Sequence, residues 1–93
     1  MPKFLVVHKM MPAPMSVEEG VPLMKRITSG MTAEAYWIST WCQANAEGKA
    51  VKIICRWDGT SIEAVRKAVA KLLPDLPVEG VYPLLVFDSG DFR

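Results

Sequence analysis

Histidine is all but missing from this chain: His8 is the only one in 93 residues. That excludes paired imidazoles at metal spacing, and no Ser/His/Asp set is evident. Cysteine is scarce too. Cys42 and Cys55 stand alone, without CxxC spacing. They read first as two small buried hydrophobes and second as a disulfide or a pair of thiolate ligands. The six glycines are dispersed, each with a turn or cap role, so there is no phosphate-cradling loop. None of these patterns implies a cofactor.

Charge of one sign is also lacking. Eleven Lys and Arg stand against ten Asp and Glu, and the net charge of +1 is scattered. A basic stripe is absent, so no nucleic-acid partner is expected. No apolar run approaches the length needed to span a membrane, so no membrane partner is expected either. Phe4-Leu5-Val6-Val7, directly after Met1-Pro2-Lys3, is too short for a signal-peptide core and carries no cleavage motif. The expected location is cytoplasmic.

What the chain does have is apolar and β-prone. Its hydrophobic share of 51% lies at the upper edge of the globular range. A surface covered by a second subunit would account for that excess. The length predicts one domain over 1–93, burying about 60–65% of its unfolded surface. The organising stretch is Ala33 to Asp58, which reads as a β-hairpin: two arms rich in Trp, Tyr, Ile, Val, Thr and Cys around Asn45-Ala46-Glu47-Gly48. A two-residue turn at Glu47-Gly48 would pair Ala46 with Lys49. Tyr36, Ile38, Thr40 and Cys42 then share an apolar face with Val51, Ile53, Cys55 and Trp57. Trp37, Ser39 and Trp41 share the other with Lys52, Ile54, Arg56 and Asp58.

Around the hairpin the chain falls into alternating elements. Residues 3–9 form a short apolar strand, and 10–15 a methionine- and proline-broken connector. The methionines there pack over the sheet edge, with a thioether metal site as the alternative. Ser16 and Glu19 form a capping box for a helix over 17–29, which Pro22 should kink or split. Thr60 and Glu63 form a second box for a helix over 61–73, stopped by Pro74. Residues 78–88 read as a last strand, and Pro83 assigns it to a sheet edge. Strand, helix, strand, strand, helix, strand with right-handed crossovers predicts an α+β protein: a ferredoxin-like βαββαβ sandwich with a four-stranded antiparallel sheet and two helices on one face. Trp37 and Trp41 should lie on the open face.

The KFLV-type first strand, Trp37-Ile38-Ser39-Thr40-Trp41, Ile54-Cys55 and Glu63-Ala64-Val65-Arg66 together resemble a small bacterial domain-of-unknown-function family over residues 3–88. Its best-known type is a nickel-binding, ferredoxin-like homodimer. The resemblance implies a histidine two residues after the tryptophan of the second strand and another after the E-x-V-R stretch. Here Ser39 and Ala68 stand in those places, so the expectation for this chain is no tight nickel site, with His8 the only metal-ligand candidate left.

The candidate site residues follow from these faces. Trp37 and Trp41 read as core or dimer packing, or as a stacking platform for a ligand beside Ser39 and Arg56. Arg56 and Asp58 pair with each other or orient a carboxylate or carbonyl ligand. His8 reads as a hydrogen-bonded structural histidine, or else as a general base. The resulting expectation is a homodimer that holds a small molecule on its open sheet face. The alternative is a small cofactor-free enzyme of the dimeric α+β barrel type, with His8 or Asp58 moving a proton.

Overall fold

The computed structural model describes residues 1–93. Six elements follow the expected order: β1 (Lys3–His8), α1 (Val17–Gly30), β2 (Ala35–Ala44), β3 (Ala50–Gly59), α2 (Ile62–Leu72) and β4 (Val78–Pro83); a short 3-10 turn, Ser89–Phe92, closes the chain. All strand pairs are antiparallel, in the order β2-β3-β1-β4. The architecture is α+β, with one four-stranded sheet. Pro83 ends an edge strand, where its missing N–H costs the ladder nothing.

Local chemistry sets the element ends. Ser16 Oγ accepts from the Glu19 N–H at 3.2 Å, and the Glu19 carboxylate accepts from the Ser16 N–H at 3.0 Å. The Ser16 backbone N–H, and after it the Ser16 hydroxyl, hold the Glu19 carboxyl below its usual range. The capping box thus starts α1 as expected, but Pro22 does not split it: the helix runs unbroken to Gly30. Proline removes a single N–H there, and the packing of Leu23 and Ile27 into the core carries the helix past it. The cap of α2 differs from expectation. Ser61, not Thr60, accepts from the Ala64 N–H, while Thr60 turns to the Glu34 carbonyl. Strand β4 is also shorter than expected. It stops at Pro83, and beyond a single further bond from the Leu84 N–H to the Lys3 carbonyl the chain leaves the sheet.

One core joins the layers. Leu23 and Ile27 of α1 and Val65, Val69 and Leu72 of α2 pack with Phe4, Val6, Ile53, Cys55, Trp57 and Val81. Each of these sheet residues belongs to the same face of its strand, so both helices lie on one side of the sheet. The connector after β1 continues along β3. Met11 N–H donates to the Val51 carbonyl and Met15 pairs with Ala50, with Met11 and Met15 packed on the core and Met10 exposed.

The hairpin holds the main departure. Its turn is not two residues at Glu47-Gly48 but three. Asn45 N–H donates to the Lys49 carbonyl, and Asn45 Oδ1 accepts from the N–H groups of Glu47 and Lys49. Gly48 takes a φ of 78°, a left-handed conformation that an L side chain would strain. From Ser39 to Gln43 the register is the expected one, with Thr40 opposite Cys55 and Trp41 opposite Ile54. It shifts by one residue at each end, once between Gln43 and Ala44 and once between Trp37 and Ser39. The second shift is a bulge at Ile38. It sets Trp37 opposite Trp57 and Tyr36 opposite Asp58. Trp37 therefore lies on the helix side, and Tyr36 moves to the open face. The expected common face for Trp37 and Trp41 is not formed.

Candidate functional site

The face without helices is built in rows across the strands, read from the pairings. One row is Trp41, Ile54, Val7 and Gly80. The next is Ser39, Arg56, Leu5 and Tyr82. A third is Tyr36, Asp58 and Lys3. Trp41 is 54% exposed and Tyr82 48% exposed. The Tyr82 ring lies over Gly80, where any side chain would collide with it. At one margin Lys52 reaches over to Glu79 at 3.4 Å. Apolar groups thus dominate the middle of the face, with the charges of Arg56 and Asp58 set among them.

Arg56 is the unusual member of this face. Its Nη2 donates to Asp58 Oδ1 at 3.4 Å, a long contact. Its Nε is buried without an acceptor in the protein. A guanidinium is charged at all ordinary pH and offers donors in a planar fork suited to a carboxylate or phosphate. With Asp58 at one edge holding Nη2, Arg56 retains the Nη1 donors for an oxygen ligand approaching the sheet beside Trp41 and Ser39. Three of the four expected ligand residues, Ser39, Trp41 and Arg56, are therefore gathered on one face together with Asp58. Trp37, the fourth, is on the other.

His8 is elsewhere. It is buried on the helix side, with Nδ1 3.1 Å from the Leu76 carbonyl. A carbonyl only accepts, so Nδ1 carries the proton and Nε2 is left a bare acceptor without a partner. Burial pushes the His8 pKa down, against a smaller upward pull from the Leu76 and Pro77 carbonyls. His8 is thus held neutral on the side of the sheet opposite Asp58, and the two make no acid/base pair. No group of three or more His, Cys, Asp or Glu side chains converges on one point.

The cysteines share the helix side, as expected, and both are free; Cys55 is buried, but Cys42, expected to be buried too, is exposed because it lies on the edge strand β2 beside the open groove. Thr40 Oγ1 accepts from Trp37 Nε1 at 2.8 Å and lies 3.1 Å from Cys55 Sγ. Burial raises the Cys55 pKa to about 11 despite that contact, and burial raises Cys42 as well. Neither thiol is primed as a nucleophile. Trp37, Thr40 and Cys42 instead form one wall of an open-sided groove of about 780 Å³ between β2 and α1, whose other wall includes Met15, Val21 and Met24. Sequence reasoning missed this groove because it depends on Trp37 turning to the helix side. A bulge leaves no composition signal. No family model, no curated protein and no solved structure matches the chain.

Proposed function

We propose that the protein is a ferredoxin-like homodimeric module whose two open sheet faces pack together and hold a small oxygen-bearing ligand at Arg56. Read from the other edge, the sheet order is β4-β1-β3-β2, which is the order that a split βαβ pair of crossovers produces. The observation that carries the reading is the composition of the open face. Leu5, Val7, Ile54, Trp41 and Tyr82 surround a charged Arg56 with an unmatched buried Nε. An apolar patch of this kind on a small domain marks an interface. A two-fold contact would close it at two copies. Arg56 and Asp58 from each chain then line the space between the sheets, where a carboxylate or carbonyl group meets a donor in a drier setting than bulk water. Membership of the domain-of-unknown-function family named above is part of the same proposal, as is a cytoplasmic location; with Ser39 and Ala68 in the expected histidine places, metal is not part of it.

Sedimentation equilibrium tests the assembly. Wild type is expected to be a dimer at tens of micromolar and Trp41→Ala a folded monomer, since removing a hot-spot interface aromatic costs about 2 kcal/mol or more. A wild-type monomer with the same mass as the variant would overturn the reading.

A further inference from the structure

On the other side of the sheet, the groove between α1 and β2 has the build of a binding site. Helix α1 packs on α2 and sends Leu23 and Ile27 into the core, while the main helix contacts of β2 come from α2. The space left beside α1 measures about 780 Å³, within the range of small-molecule pockets, about 300–1,000 Å³. Its walls are mostly apolar, with Met15, Val17, Val21 and Met24 facing Trp37 and Ala44. The polar atoms of its β2 wall are already engaged with one another: the Trp37 indole N–H donates to Thr40, and the Thr40 hydroxyl meets Cys55. That wall therefore offers hydrocarbon and aromatic surface and asks for no hydrogen bond.

The charge is one-sided. Lys25 is the sole ionic side chain lining the groove, and it takes part in no ion pair. No carboxylate lines the groove. Thr28 and Ser29 sit beside Lys25 on the same helical face, three and four residues on. Their hydroxyls already donate to the Met24 and Arg26 carbonyls, so Lys25 supplies the donor on this stretch of the rim. A lone cation beside apolar walls favours a ligand with an apolar body and an anionic head.

We propose that the α1–β2 groove binds amphipathic carboxylates, with the chain or ring against Trp37, Met24 and Val21 and the carboxylate at Lys25. The site is independent of the open face, so either can fail without the other.

The test is a titration of ¹⁵N-labelled full-length protein with decanoate below its micelle threshold, followed by amide shifts. Decyltrimethylammonium serves as the charge-reversed control. Saturable shifts are expected on α1 and β2 around residues 21–29 and 37–44, with decanoate preferred over the cation. Lys25→Glu should weaken decanoate by about fivefold, the scale of an exposed ion pair, and reverse the preference. Ala44→Trp places a ring in the groove from an exposed position, and should abolish binding while the spectrum stays dispersed. Any of four results would overturn the site: no saturable shift, shifts centred on Trp41, equal binding of anion and cation, or groove shifts that follow protein concentration and vanish when residues 84–93 are removed. The last would mean that the tail of a second copy is the occupant.

Discussion

A buried histidine with one bare nitrogen makes stability depend on pH in a definite direction. In the unfolded chain His8 titrates near its ordinary value of about 6.5, whereas burial in the fold lowers that value. Between the two values the unfolded state carries a proton that the folded state refuses. Stability is therefore full above the unfolded pKa and is lost as pH falls toward the folded one, with a slope of up to about 1.4 kcal/mol per pH unit. Chemical denaturation of wild type between pH 7.5 and 5.5 should show that decline. His8→Leu should be less stable at neutral pH, through the lost Leu76 contact, but flatter with pH; an equal slope in both proteins would remove His8 as the cause. The cysteines give a second residue-scale prediction. A thiol-specific reagent should label Cys42, slowly, in the native protein and reach Cys55 only after unfolding, because Cys55 is wholly buried with its pKa raised to about 11. Two equally fast thiols under native conditions would contradict the packing around Thr40.

At the scale of elements, the two helix starts separate what sequence says from what tertiary contacts decide. Thr60-Ser61-Ile62-Glu63 offers two adjacent cap residues, and spacing to Glu63 favours Thr60. In the fold the Thr60 N–H is held by the Glu34 carbonyl at 2.8 Å, so the cap passes to Ser61. Ser61→Ala should cost about 1 kcal/mol in urea unfolding and Thr60→Ala clearly less. The reverse order would restore the sequence-level reading. The same contrast runs through the hairpin. Element types, the Ser16 box, the edge position of β4 and the pairing of residues 39–43 were all legible, because alternation and caps are local signals. The bulge at Ile38 was not, since it costs one unpaired residue and is fixed by how Trp37 packs against Trp57 and the core. One residue of the candidate site followed that shift: Ser39, Trp41, Arg56 and Asp58 could be placed together from sequence, whereas Trp37 could not be assigned to the groove. The end of β4 at Pro83 was likewise obscured, because Leu84-Leu85-Val86-Phe87 carries the hydrophobic run past the last residue of the strand.

The whole molecule exposes more surface than its mass predicts. It presents 6016 Å², against about 5,400 Å² expected for a folded monomer of this size. The open face contributes Trp41 and Tyr82 to that excess, and the chain beyond β4 contributes Leu85, Phe87 and Phe92. A standard interface removes about 800 Å² from each partner, so one face-to-face contact would more than absorb the difference. If folding and pairing are coupled in this way, unfolding separates the two chains, and the melting temperature must rise with protein concentration. For a dimer of two such chains the unfolding entropy implies about 4 °C per tenfold rise in concentration. Calorimetry over two decades of concentration should show this slope for wild type. Trp41→Ala should melt lower and independently of concentration, as a monomer does. Lys25→Glu, on the other side of the sheet, should keep the wild-type slope. A wild-type melting point that ignores concentration would mean that the open face meets solvent or a different partner, and the pairing of the two sheets would have to be abandoned.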